Sequence, residues 1–154
     1  MKILGFILLF LFGIFFSIPF KMVESTQQTV NGGRMETGSS VIFQVKMVAK
    51  KPSTKLHFED LWIGVTHYSV TASHQKADNS ISTDFEKGDT IYIQAAQQYL
   101  PNSRGELSIE TQNNSNKSVP MEYSGKALIG YTYKGKQHYQ IIKDFTILKT
   151  ENRP

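Results

Sequence analysis

The sequence contains no cysteine, which removes several chemical roles at once. Disulfide bonds, thiolate zinc sites, iron–sulfur clusters, cysteine nucleophiles and a lipid-modified cysteine anchor are all excluded. A domain without disulfides must be stabilised by its hydrophobic core. A chain of 154 residues is long enough to form one ordinary domain with such a core.

Arginine is scarce in this chain. The three arginines, Arg34, Arg104 and Arg153, are also far apart in the sequence. The formal net charge of +4 is only mildly basic. Proteins that read phosphates and guanines usually place several arginines on one face, where each can form two hydrogen bonds. We therefore expect no nucleic-acid partner.

Catalytic signatures are missing as well. The chain has no G-x-S-x-G nucleophile elbow and no H-E-x-x-H zinc motif, and its histidines are scattered. The serines fall mostly in turns, where their hydroxyls bond to nearby backbone. We expect a protein that is not an enzyme and that uses no cofactor.

An uncharged, strongly apolar run from Ile3 to Phe20 follows Lys2. This pattern predicts an N-terminal hydrophobic export helix over residues 1–25, which is either a cleaved signal peptide or a membrane anchor over residues 3–20. The short run and Pro19 near its end favour cleavage. We expect an exported protein, periplasmic or extracellular, that contacts a membrane only through this segment if it is uncleaved.

Residues 26–40 are polar, glycine-containing and aperiodic, which predicts a flexible spacer. Strict alternation of apolar and polar residues begins at residue 41, as in "SVIFQVKMVA" and "TIYIQAAQQYL". About eight such strands, separated by turn signals, predict an antiparallel β-sandwich over residues 41–150. A change of parity around Glu59 and Asp60 predicts a β-bulge or a turn there.

Two stretches of the alternating region are similar to immunoglobulin-like and fibronectin-III-like domains. "FEKGDTIYI" at residues 85–93 resembles their entry from a turn into a strand. "SGKALIGYTYKG" at residues 124–135 resembles a penultimate strand that leads into a terminal hairpin. The resemblance implies an immunoglobulin-like sandwich, although the cysteines of antibody domains are absent. It implies no catalytic residues, because this fold hosts many functions.

A cluster of acids in "DFEKGD" offers a weak calcium site formed by Asp84, Glu86 and Asp89. Calcium is bound by carboxylate and carbonyl oxygens, but the spacing lacks the D-x-D-x-D-G register of a calcium loop. A solvated turn is the preferred interpretation, and we expect no metal.

Exposed aromatic side chains are the other candidate for binding. Trp62, Tyr131, Tyr133 and His138 carry rings that can stack on a ligand. For Trp62, a position that covers the core, with its indole N–H bonded at the edge, competes with a sugar-stacking role.

The decapeptide "YTYKGKQHYQ" at residues 131–140 allows two hairpin registers. A two-residue turn at Lys134 and Gly135 pairs Tyr131 with His138. A three-residue loop pairs Tyr131 with Gln137 and collects the apolar residues on one face. Register follows the hydrophobic pattern where one face is buried, so we predict the three-residue loop.

Four lysines, Lys46, Lys50, Lys51 and Lys55, surround Pro52. Lysines near an anionic membrane each add binding energy, whereas lysines on edge strands and loops protect against aggregation. We prefer the protective interpretation, because no amphipathic helix accompanies them.

These patterns together predict a small non-catalytic β-sandwich that acts as an interaction or accessory domain of the cell envelope or exterior. Its expected partner is another protein or an envelope component. The alternative is a carbohydrate-binding module that holds a glycan with its exposed aromatic residues.

Overall fold

Strands make up all the regular secondary structure in the described part of the computed structural model, which comprises residues 17–33, 38–101, 107–110 and 117–153. There are twelve: β1 (Phe20–Asn31), β2 (Ser39–Ala49), β3 (Leu56–Ile63), β4 (Thr66–Ser69), β5 (His74–Gln75), β6 (Ile81–Ser82), β7 (Thr90–Pro101), β8 (Leu107–Glu110), β9 (Ala127–Tyr133), β10 (Lys136–Ile142), β11 (Thr146–Ile147) and β12 (Glu151–Asn152). In this part of the chain no helix is long and apolar enough to cross a membrane. The predicted export helix falls mainly on residues 1–16, which lie outside the described residues.

Two main sheets contain most of the strands. The first sheet has the order β11-β1-β2-β7-β8, with β12 also pairing β1, and the second has the order β10-β9-β3-β4. All their ladders are antiparallel except those of β11 and β12, which run parallel to β1. The prediction of an all-β fold with antiparallel sheets is therefore confirmed. The short strands β5, β6, β11 and β12 raise the count above the expected eight.

The core lies between these sheets and follows the period-two pattern of the strands. In β2, Val45 and Met47 are fully buried, while Lys46 between them faces outward. Leu61 from β3 and Ile129 from β9 enter the same apolar cluster from the second sheet. Burial of these side chains takes the place of the disulfides that the sequence lacks.

The first strand begins earlier than the sequence predicts. β1 starts at Phe20, so residues 20–25 belong to the folded domain, and residues 26–31 are a strand instead of a flexible spacer. A bulge between Met22 and Glu24 shifts the alternation by one residue, which hides the strand from a pattern search. Residues 34–37 of the expected spacer lie outside the described residues.

The bulge predicted near Glu59 is present in β3. The register with β9 shifts between Phe58 and Asp60. Phe58 and Leu61 therefore both face the core, although they differ in parity. The same shift turns Asp60 and Trp62 toward the outer face of the second sheet.

The terminal hairpin has the register that we did not prefer. Lys134 and Gly135 form a two-residue turn with φ of 51° and 74°, and Tyr131 pairs with His138. Positive φ at both positions is the mark of a type I′ turn. The prediction of a three-residue loop is wrong because β10 is an edge strand. Its core-side positions near the turn lie beyond the core, so they need not be apolar.

Candidate functional site

A cleft of about 520 Å³ opens between the start of β1 and the terminal hairpin, and we call it the edge cleft. Its lining residues come from three consecutive positions before β1 and from β9, β10 and their turn. They are Ser17, Ile18, Pro19, Tyr131, Tyr133, Lys134, Lys136, His138, Tyr139 and Gln140.

The floor of the edge cleft is continuous with the core. The cross-strand pair of Tyr131 and His138 places their rings 5.4 Å apart in a stacked geometry. Tyr131 also packs edge-to-face on Phe20, with ring centroids 5.0 Å apart. Burial raises the pKa of the Tyr131 hydroxyl above its ordinary value of 10.0. The floor is therefore a fixed aromatic surface.

The mouth of the edge cleft is basic and aromatic. The Lys134 ammonium lies 5.3 Å from the ring centroid of Tyr133, which is a cation–π contact. Lys136 is exposed, and Tyr133 is only partly buried. Ammonium groups, phenols and an imidazole together suit a ligand that offers hydrogen-bond acceptors or negative charge.

A second polar and aromatic group lies on the outer face of the same sheet, and we call it the outer-face cluster: Asp60, Trp62, His67 and Lys117. One carboxylate oxygen of Asp60 lies 2.7 Å from His67 Nε2, and the other accepts a hydrogen bond from Lys117 Nζ at 2.7 Å. The His67 and Trp62 rings lie 5.0 Å apart. Asp60, His67 and Trp62 are all buried.

Local chain geometry builds this outer-face cluster. A two-residue turn at Gly64 and Val65 pairs Trp62 with His67 across β3 and β4. Gly130 lies opposite Asp60 on β9, and a Cβ there would come within 3.0 Å of the Asp60 Cβ. The missing side chain of Gly130 makes room for the buried carboxylate.

Residues 117–125 contact the outer-face cluster and the turn beside it through two hydrogen bonds. The Trp62 indole N–H donates to the Lys117 carbonyl at 3.2 Å. The Tyr123 hydroxyl donates to the Gly64 carbonyl at 2.6 Å. Both oxygens of Asp60 and the indole N–H are therefore satisfied within the protein, so this cluster holds the fold together.

The structure separates the aromatic candidates of the sequence into two groups. Tyr131, Tyr133 and His138 meet in the edge cleft, as their proximity in sequence suggests. Trp62 lies on the other face of the sheet with none of its surface exposed. A sugar cannot stack on a ring that has no accessible face, so the binding candidates reduce to the residues of the cleft.

The calcium candidates lie in the turn before β7. Asp84 and Glu86 are exposed. Asp89 accepts a hydrogen bond from the Glu86 backbone N–H at 2.8 Å and lies 3.7 Å from His74 Nδ1. Within the described ranges, no three histidine or acidic side chains are grouped so that they could hold a metal ion.

The outer-face cluster was not predicted from the sequence. The contact between His67 and Asp60 could be predicted from the sequence. A turn at Gly64 pairs His67 with Trp62, which lies on the same face of β3 as Asp60. The hydrogen bond from Lys117 to Asp60 could not be predicted from a local sequence pattern, because the two residues are 57 positions apart.

Comparison of the chain with models of protein families, with curated proteins and with solved structures found no match in any of the three.

Proposed function

We propose that the protein is a non-catalytic, exported interaction domain that binds its partner at the edge cleft and the neighbouring edge strand β10. The observation that carries this proposal is the position of the cleft. It lies beside the outermost strand of the second sheet, with Tyr133, Lys136 and His138 at its surface.

Strand addition is the mode of binding that this geometry supports. In an antiparallel hairpin closed by a two-residue turn, alternate residues of β10 point their N–H and C=O groups away from β9. Those residues are Gln137, Tyr139 and Ile141, of which the Ile141 carbonyl already accepts a hydrogen bond from Gln140 Nε2 at 3.1 Å, so the added strand would pair with Gln137 and Tyr139. An extended segment of a partner can pair with this edge and place alternate side chains in the cleft.

We further propose that the apolar N-terminal segment stays attached and tethers the domain to a membrane. The support is Phe20, which is 2% exposed and packs edge-to-face on Phe58 at 5.1 Å. A cut after Ser25 would remove this core residue and half of β1. Mass spectrometry of the mature protein should therefore find Met1. A mature N-terminus anywhere from Ser17 to Thr26 would contradict the tether, including a cut just before Phe20 that leaves β1 intact.

An immunoglobulin-like identity for the sandwich is part of the same proposal. Its support is the strand order, because β1-β2-β7 faces β10-β9-β3-β4. Immunoglobulin domains arrange strands A, B and E in one sheet and strands G, F, C and C′ in the other. In that scheme β10 is strand G, which is an edge strand.

The proposed binding mode can be tested by site-specific photo-crosslinking in the producing cells. A photoreactive residue at position 133 or 137 should give one discrete adduct, while the same residue at the exposed control position Ile81 should not. Tyr139→Pro should abolish the adduct, because it removes an outward N–H and keeps the ladder to β9. An adduct that persists in Tyr139→Pro would exclude strand addition.

Carbohydrate binding is the second candidate, and the partly exposed ring of Tyr133 beside Lys136 and His138 supports it. A glycan array should then give a signal that Tyr133→Ala removes. Trp62→Phe should leave that signal unchanged, because Trp62 has none of its surface exposed to a glycan. No signal with the wild-type protein would remove this candidate.

A further inference from the structure

Several loops converge at the end of the sandwich where the chain enters β1, and we call this the near end. The Lys50 backbone N–H donates to the Pro19 carbonyl at 2.9 Å, and the Lys134 N–H donates to the Lys55 carbonyl at 3.1 Å. The turn before β7 joins them, because the Gly88 N–H donates to the Ala49 carbonyl at 2.7 Å.

Positive charge is concentrated at the near end. Its exposed lysines are Lys21, Lys50, Lys51, Lys55, Lys87, Lys134 and Lys136. Its acids are Asp84, Glu86 and Asp89, all of which lie in the turn before β7. Within the described part of the chain, none of these seven lysines forms an ion pair with a carboxylate. Their charge is therefore available to an external partner.

The opposite end of the sandwich, the far end, is nearly balanced. It holds the turn between β3 and β4, the start of β9 and the residues after β10. Among the described residues, its basic side chains are Lys126, Lys143, Lys149 and Arg153, and its acidic side chains are Glu122, Asp144 and Glu151. Arg153 and Glu151 pair with each other at 3.2 Å. The basic excess is thus a property of the near end.

The sequence brings this basic end close to the apolar N-terminal run. Residues 3–16 contain no charged side chain, and Phe20 is already part of the core. Only Ser17, Ile18 and Pro19 lie between them. Three residues span at most about 10 Å, which is close to the screening length of physiological salt. A bilayer that holds the apolar run therefore lies close to Pro19, whose carbonyl bonds to the Lys50 backbone at the near end.

We propose that the near end docks on the surface of an anionic bilayer, where its lysines contact lipid phosphates. This inference rests on the proposed tether and adds a second membrane contact made by the folded domain itself. Clusters of lysine beside a membrane segment are attracted to anionic lipid, and the attraction weakens with salt.

The protective role that the sequence favoured for Lys50, Lys51 and Lys55 explains less of the structure. Edge protection requires lysines along the exposed edge of a strand. The near-end lysines instead come from the loop after β2, the turn before β7, the turn before β10 and the strand ends beside them. These lysines share a position at one end of the domain, and they do not follow the edge of a single strand.

Lysine footprinting on the full-length chain tests the proposal. The protein is reconstituted into vesicles of neutral phosphatidylcholine, or of phosphatidylcholine with a third phosphatidylglycerol, and its amines are acetylated with limiting reagent. Acetylation of Lys50, Lys55 and Lys134 should fall about threefold or more in the anionic vesicles and recover in high salt. Lys126 and Lys143 at the far end are internal controls and should be labelled equally in both.

A matched pair of variants extends the test. Lys50→Gln combined with Lys51→Gln and Lys55→Gln should abolish the protection of Lys134 in anionic vesicles. Lys126→Gln combined with Lys143→Gln and Lys149→Gln should keep it. Equal loss in both variants would overturn docking by the near end.

Alkaline carbonate extraction separates docking from the tether. Resistance to extraction with equal labelling in the two kinds of vesicle would overturn docking and leave the tether standing. Extraction combined with protection in anionic vesicles would contradict the tether and support docking. A protein that is extracted by carbonate and is also labelled equally in the two kinds of vesicle would overturn both proposals.

Discussion

The outer-face cluster and the edge cleft use similar side chains on the same sheet, and they differ in what surrounds them. The outer-face cluster lies over β3 and β4, where residues 117–125 contact it, and Asp60, Trp62 and His67 are buried. The edge cleft lies beside β10, where Lys136 and Tyr133 reach solvent. The position of a residue in the sheet therefore decides whether an aromatic or charged side chain is accessible to a partner. Substitutions in the cluster should therefore affect stability, and those in the cleft should affect binding.

The largest effect is expected for Asp60→Ala. Removing the shared carboxylate breaks its 2.7 Å contacts with the buried His67 and with Lys117, and breaking a buried, hydrogen-bonded pair in this way costs about 3–5 kcal/mol in the free energy of unfolding. Urea denaturation measures this loss. His138→Ala in the edge cleft is the control, with an expected loss of about 1 kcal/mol or less. Equal losses would erase the distinction between the two regions.

A smaller loss, about 1–3 kcal/mol, is expected for Gly130→Ala. The new methyl group would lie 3.0 Å from the Asp60 Cβ and 3.2 Å from its Oδ2, so the carboxylate must shift. Gly64→Ala serves as a control for steric crowding, since nothing lies within 4 Å of a Cβ there and only its positive φ opposes the change. Urea midpoints compare the two, and hydrogen exchange of the Trp62 indole should rise in Gly130→Ala alone.

Lysine provides a matched pair across the two regions. Lys117→Met removes a partner of a buried carboxylate, although the Lys117 side chain is 54% exposed, and should cost about 1 kcal/mol or less. Lys136→Met at the cleft should leave the unfolding free energy unchanged within about 0.5 kcal/mol. A larger loss from Lys136→Met would show that the cleft also contributes to stability.

The smallest effect is expected for Tyr131→Phe, which should change how the melting temperature depends on pH. Burial raises the pKa of the Tyr131 hydroxyl in the folded state above its ordinary 10.0, so the unfolded chain loses this proton first. The contribution of the protonated Tyr131 hydroxyl to the free energy of unfolding is complete below pH 10. It is lost as the pH rises through the pKa that Tyr131 has in the folded protein. The wild-type melting temperature should fall above pH 10, and Tyr131→Phe should flatten that fall. Part of it should remain, because burial also raises the pKa of Tyr68 and Tyr123.

The sequence predicts the central strands well because they are buried on one face. In β2, Phe43, Val45 and Met47 repeat at every second position and all enter the core. The same parity argument finds the bulge near Glu59, since two apolar runs of opposite parity must share one core.

Parity fails where a strand is bulged early or lies at an edge. β1 is hidden by its bulge after Met22, and β10 does not need an apolar face near its turn. The burial of Trp62 and the bond of Lys117 to Asp60 depend on a segment more than fifty positions away, and no local pattern reports such a contact.

The parallel pairing of β11 and β12 with β1 also constrains the order in which the domain folds. Thr26 pairs with Thr146, and the Ser25 hydroxyl bonds to the Asp144 carbonyl 119 positions later. The outer edge of β1 therefore stays open until residues 144–152 have been synthesised. Contacts of such long sequence separation slow folding. The first sheet can therefore close only after residues 144–152 are available, and until then the outer edge of β1 carries unpaired backbone N–H and C=O groups.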